Sequence, residues 1–190
     1  MGLGQSELAD LQRLIQSRQA GHGLPGEFYR DDLVYRTDIE QIWRRGWLFA
    51  GHSCEIPRPG DYFTFTLDTD SLIIIRDDEG QVHALHNVCR HRGTMLCEED
   101  CGTVGRIVCP YHQWRYRVDG SFKHARGEHG LQDWLSHNAN LKSVRLENYG
   151  GFLFVNLNMN AVPLIEQAPK FIKDMYSCCP RLDELVRVHR

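Results

Sequence analysis

The sequence predicts a mainly β protein, an antiparallel β sandwich or barrel with two Cys- and His-bearing loops, flanked by N-terminal and C-terminal helices. Three observations predict it. Short apolar runs at strand spacing, separated by Gly, Pro and Asp turn signals, follow one another from Trp47 to Leu157. Helical periodicity is confined to the two ends of the chain. Between the runs, two short arms, Cys89-Arg90-His91 and Cys109-Pro110-Tyr111-His112, interrupt the strand pattern.

Taken in order, Leu8, Leu11, Leu14 and Ile15 recur at helical spacing, with Ser6 placed to cap the start and Gly21 to stop the end. An amphipathic helix is expected over 6–19, its apolar stripe packing on its own domain or on a neighbouring subunit. A Gly- and Pro-containing linker follows, in which His22 reads as a solvated loop residue. Thr37 and Glu40 have the spacing of a capping box ahead of Ile39, Ile42 and Trp43, so a second helix is expected from there to Gly46. Strands are expected over 47–50, 62–67, 71–76 and 82–87, the last two joined by the Asp78-Glu79-Gly80 turn. Pro57, Pro59 and Gly60 keep the segment before Tyr62 irregular. Residues 106–108 lead into the second arm, 114–118 lead out, and Asp119-Gly120 signals a hairpin before Phe122. His124, His129 and His137 lie in a polar stretch without helical spacing and read as surface histidines. Tyr149-Gly150-Gly151 turns the chain into a strand over 152–157. A helix is expected around 170–176, and the alternation of Leu185, Arg187 and His189 suggests the opening of a further strand or a linker.

Composition excludes several function classes. With 190 residues, 42% hydrophobic and 25% charged, the chain suits one soluble domain with flanking elements. A net charge of −3 gives no reason to expect nucleic acid or an anionic membrane as partner. The longest apolar runs, 72–75 and 152–155, fall far short of a bilayer span. The start, MGLGQSELADLQRL, lacks the basic and apolar regions of a secretory signal, so a cytoplasmic location is expected. Five of the seven cysteines, Cys54, Cys97, Cys101, Cys178 and Cys179, do not form an evenly spaced framework and are expected as free thiols.

Each arm offers one thiolate and one imidazole, and seventeen residues separate His91 from Cys109. Two neighbouring loops can therefore bring Cys89, His91, Cys109 and His112 to one site. Structural zinc also takes two Cys and two His, but zinc fingers usually place both Cys in one arm and both His in the other. Mixed arms suit a two-iron cluster whose irons carry different ligands, two Cys on one and two His on the other, which is the Rieske [2Fe–2S] arrangement.

The spacing C-x-H-x17-C-x2-H, with HRG after the first arm and CPYHQW at the second, resembles the Rieske domain of Rieske non-haem iron oxygenase α subunits from about Phe28 to Leu157. Respiratory Rieske proteins carry an extra Cys in each arm, forming a disulfide clamp. Thr94 and Tyr111 stand at those positions here, which favours the oxygenase or ferredoxin type. GWLFAGHSCEIPRPGDYF, NVCRHRGTMLC and CPYHQWRY look most similar to the glycine betaine, choline and carnitine monooxygenase branch, with aromatic-ring dioxygenases as near relatives.

The resemblance implies a [2Fe–2S] cluster held by Cys89, His91, Cys109 and His112, receiving electrons from a reductase or ferredoxin. It implies delivery, through His112 or else His91, to a mononuclear Fe(II) in the catalytic domain of a neighbouring subunit, within a homo-trimer. The two-His, one-carboxylate pattern of that iron site is not found after Leu157, where His189 is the sole histidine. No catalytic residue is therefore assigned in this chain, and the mononuclear iron is expected only in a missing C-terminal domain. The expected division is a helical segment over 1–46, a Rieske domain over 47–157, and a linker or start of the missing domain over 158–190. A stand-alone ferredoxin-type carrier is the alternative. Arg90, Arg92 and Arg115 adjoin the arms and can offset the charge of a reduced cluster, face an acidic donor, or simply satisfy the loop backbone and local carboxylates, while backbone N–H groups around Gly93 and Gly105 are candidate donors to cluster sulfur.

Overall fold

The computed structural model describes residues 4–126 and 130–188. The chain divides into two compact units, Met1–Gly46 and Trp47–Arg190.

In the first unit, helix α1 (Gln5–Gln16) starts one residue before Ser6. Its cap is Gly4, whose N–H donates to the Glu7 carboxylate at 2.8 Å. Helix α2 (Asp32–Asp38) begins earlier than Thr37 because Asp31 accepts the Leu33 N–H at 2.7 Å and so caps the first turn. Thr37 lies inside the helix, its hydroxyl donating back to the Leu33 carbonyl at 2.6 Å. The helix then widens into a π-helical turn, Ile39–Trp43.

The second unit is built on antiparallel strands: β1 (Leu48–His52), β2 (Asp61–Leu67), β3 (Asp70–Arg76), β4 (Val82–His86), β5 (Cys101–Thr103), β6 (Ile107–Val108), β7 (Arg115–Tyr116), β8 (Phe122–His124), β9 (Ser143–Tyr149) and β10 (Phe152–Asn156). They form a seven-stranded sheet in the order β1-β10-β9-β4-β3-β2-β5 and a three-stranded sheet in the order β6-β7-β8. The mainly β, antiparallel prediction holds.

β3 divides the interior. Its run Leu72-Ile73-Ile74-Ile75 is at most 1% exposed, because alternate residues enter different cores. Leu72 and Ile74 pack with Phe63, Leu153 and Val155, while Ile73 and Ile75 pack with Cys89, Cys109, Trp114 and Tyr116. A strand buried on both faces reads as an unbroken apolar run, and each such side chain contributes about 1.5–3 kcal/mol.

Several elements differ from expectation. β9 joins β10 to β4, yet its sequence SVRLENY mixes apolar and charged residues too closely to be read as a strand. The stretch after β8 contains helix α3 (Gln132–Asn138), which buries Leu135. His124 on β8 and His137 on α3 are exposed, as expected, whereas His129 and His189 lie outside the described residues. After β10 come α4 (Leu164–Gln167) and α5 (Pro169–Cys178), which sets Ile172 against Phe154. The tail forms a short 3₁₀ turn, Leu182–Glu184, that buries Leu182. Among the described residues it adds no strand.

The β3–β4 hairpin is held by Asp77, which accepts the Glu79 and Gln81 N–H groups at 3.0 and 2.8 Å and contacts His83 Nε2 at 2.7 Å. Burial alone would raise the Asp77 pKa, but the bonds from His83, Gln81 and Glu79 outweigh it and hold the carboxyl below its ordinary value. The folded form therefore titrates below the unfolded one, so this stabilisation is complete above the usual carboxylate range and is lost as pH falls through it. Asp77→Asn should cost about 1–2 kcal/mol at neutral pH and flatten the acid side of the stability profile. Urea midpoints measured from neutral pH down to about pH 3 check this; an unaltered acid slope counts against it.

Candidate metal centre

The two arms fold into matching six-residue turns. In the first, Cys89 N–H donates to Thr94 O at 2.8 Å and Gly93 N–H donates to Cys89 O at 3.0 Å. In the second, Cys109 N–H donates to Trp114 O at 2.8 Å and Gln113 N–H donates to Cys109 O at 3.0 Å. The fifth residue of each turn is left-handed, Gly93 at φ 76° and Gln113 at φ 59°. Glycine takes this conformation freely, while Gln113 bears a steric cost there. The Gly93 N–H is thus committed to its own turn rather than free for a cluster sulfur.

Asn87, 1% exposed, closes the first loop. Its Nδ2 donates to Cys97 O at 2.7 Å and Ser71 Oγ at 3.1 Å, and its Oδ1 accepts the Leu96 and Cys97 N–H groups at 3.1 and 2.8 Å. The amide thereby ties the far end of the loop to β3.

The turns bring all four predicted donors together as two pairs. Cys89 and Cys109, at 2% and 1% exposure, lie in one buried core with Trp114 and Tyr116, and Cys109 raises the electrostatic cost of ionising Cys89. The His91 and His112 rings lie 4.7 Å apart between centroids, at 79° to one another. Trp114 stacks on His91 at 4.8 Å, and Tyr111 lies against His112 at 3.7 Å. Among the described residues, no three His, Cys, Asp or Glu side chains are grouped to hold one ion.

Burial raises the Cys89 thiol pKa; hydrogen bonds from the Tyr116 hydroxyl and the His91 N–H oppose this, and neighbouring Cys109 adds to it. Binding a metal at Cys89 would therefore displace its thiol proton. The His112 Nδ1 is buried without a hydrogen-bond partner. Buried polar atoms are nearly always bonded, so an orphaned imidazole nitrogen in the turn that begins at buried Cys109 fits a metal group.

Tyr116 was not legible as a site residue. Fully buried, its hydroxyl accepts the Arg90 N–H at 3.1 Å and so turns its own hydrogen toward Cys89 Sγ, 3.3 Å away. The available signal was a tyrosine on the inward face of a strand, since a buried hydroxyl requires a partner. Cys97 is buried beside Tyr62, and burial pushes its thiol up to about 11. Cys101 is on β5, paired across to Phe63.

Residues 46–135 match the family described as the Rieske [2Fe-2S] domain. The chain carries a Rieske domain. It is 43% identical over 144 residues to the glycine betaine monooxygenase oxygenase subunit of Chromohalobacter salexigens, covering 76% of this chain and 32% of that protein. It is 32% identical over 162 residues to the carnitine monooxygenase oxygenase subunit of Escherichia coli K12, covering 85% of this chain and 43% of that protein. Among solved structures, the quaternary ammonium Rieske monooxygenase CntA superposes with a TM-score of 0.78 at 30% identity, over 87% of this chain and 46% of that one. Naphthalene 1,2-dioxygenase from Rhodococcus sp. gives 0.80 at 28% identity, over 92% of this chain and 40% of that one. The oxygenase α-subunit resemblance read from the two arms holds, and this chain spans about a third to under half the length of these relatives. Among the described residues, no helix is long and apolar enough to cross a membrane.

Replacing Asn87 with Ala strands the Leu96 and Cys97 N–H groups and the Cys97 carbonyl in the interior. The expected loss is about 2–4 kcal/mol, read as a lower urea midpoint. Equal midpoints for wild type and Asn87→Ala would refute the tie.

Proposed function

We propose that Cys89, His91, Cys109 and His112 hold a Rieske [2Fe–2S] cluster, and that this chain is the electron-receiving part of an oxygenase α subunit that oxidises a quaternary amine. The observation that carries the reading is the pair of matching turns, which sets two buried thiols together and two imidazoles together. Such a cluster, when bound, supplies a one-electron carrier whose His ligands raise its potential above that of all-Cys clusters.

The chain's own residues set the environment of that carrier. Cys89 and Cys109 serve as thiolates, and the Tyr116 hydroxyl and His91 N–H donate to Cys89 Sγ, drawing charge from it. Trp114 and the β3 core exclude water behind the thiol pair. Trp114 also fixes the plane of His91 by stacking. Exposed Arg90 and Arg92 lie next to His91, where they offset the negative charge gained on reduction.

The substrate class rests on similarity to glycine betaine and carnitine monooxygenases and to CntA. Oxidation itself is assigned to a mononuclear Fe(II) in a catalytic domain outside this chain. CntA is described as transferring electrons between subunits. By that likeness the acceptor belongs to a neighbouring copy in a homo-trimer, His112 is the exit ligand, and a reductase or ferredoxin is the donor.

The purified protein should be red-brown, with an EPR signal of low average g in the reduced form. His91→Ala and His112→Ala should abolish that signal; Cys97→Ser and Cys101→Ser should keep it. A colourless protein holding stoichiometric zinc, or loss of the signal in Cys101→Ser, would overturn the ligand assignment.

Tyr116→Phe removes the donor to Cys89 Sγ and leaves the ring in place. The reduced, more negative state loses more than the oxidised state, so the reduction potential should fall by on the order of 50 mV, about 1 kcal/mol for one electron. Protein-film voltammetry reads this directly. A potential unchanged or raised would exclude the hydroxyl as a tuning donor.

A further inference from the structure

Charge is distributed unevenly in this chain. Residues 105–126 carry five cations, Arg106, Arg115, Arg117, Lys123 and Arg126, against one acid, Asp119, although the whole chain has a net charge of −3. Strand register explains where they go. Ile107, Tyr116 and Phe122 form one cross-strand row of the small sheet, and all are buried. The alternate row, Val108, Arg115 and His124, therefore lies on the opposite, outer face. Exposed Arg106 and Arg117 continue that face along β6 and β7, and Lys123 is the extra residue of the β8 bulge. Arg117 donates to Ser121 Oγ and lies near Asp119. Arg106, Arg115, Lys123 and Arg126 make no ion pair among the described residues. At the centre, Val108 is 39% exposed and directly precedes Cys109.

From this face, and resting on the electron-transfer reading above, we propose that the outer surface of the β6-β7-β8 sheet is the docking site for an acidic electron-donor protein. An exposed valine flanked by unpaired cations suits a protein interface, and cations concentrated on a net-negative chain orient an acidic partner that the rest of the surface repels. The bound donor lies against the strand that leads into Cys109. The loop bearing Tyr111 and His112, which joins β6 to β7, is left for the acceptor. One electron passes per encounter: the donor is oxidised, the cluster is reduced, and no bond is made or broken.

The test uses the cluster-loaded chain and, as probe, a reduced plant-type [2Fe–2S] ferredoxin of strongly negative charge, whose potential lies below the Rieske range. Stopped-flow bleaching gives the second-order rate constant. Arg106→Glu/Lys123→Glu should lower it about tenfold at low ionic strength, with the difference closing near about 0.5 M salt. Lys142→Glu/Lys173→Glu, the same charge change elsewhere, should leave it within about twofold. Reduction by the methyl viologen radical cation should not slow in either variant. Equal ferredoxin rates for wild type and Arg106→Glu/Lys123→Glu, with the cluster intact and still reducible by viologen, would overturn the docking site alone. A wild-type chain with no Rieske signal would overturn the electron-transfer reading and this proposal with it.

Discussion

The site depends on one repeated backbone constraint. In each arm a Cys amide and carbonyl close a six-residue turn, on Thr94 and Gly93 in the first and on Trp114 and Gln113 in the second. Closing the turn points nothing outward by chance. It buries each Cys at the base and leaves a His near the rim, so two such turns side by side pair like with like. The left-handed fifth residue is what each turn requires, and the non-glycine Gln113 shows that the second turn is held firmly enough to bear the strain.

The turns hold their places because β3 anchors both. Ile73 and Ile75 form the floor under the thiols, and Ser71 on the same strand receives the Asn87 amide that closes the first loop. The other face of β3 belongs to a separate core with β10. A rigid, doubly buried strand thus fixes the spacing of two irregular loops that have little core of their own. Burial then sets the electrostatics: it raises the Cys89 thiol and the Tyr116 hydroxyl above their ordinary values.

The surface around this dry interior is divided in function. Tyr111, 62% exposed, lies at the histidine end, while the outer face of the small sheet gathers the cations. The overall composition, 25% charged, hides such segregation, because it shows only when strand register sorts alternate residues to opposite faces.

The sequence by itself singled out Cys89, His91, Cys109 and His112 and their placement in two arms, because residue type and spacing are local. It also determined the strands β2, β3 and β4, whose apolar runs and turn signals are local as well. It misplaced the start of α2, where the Asp31 cap outcompeted the Thr37 and Glu40 spacing, and it left β9 and α3 unread. Those elements owe their existence to neighbours: β9 to the strands on either side of it, α3 to the pocket that takes Leu135. Only the tertiary structure decided that Tyr116 meets Cys89 and that Asn87 ties loop to strand. Both are contacts across ten or more residues, made by side chains whose partners no local pattern names.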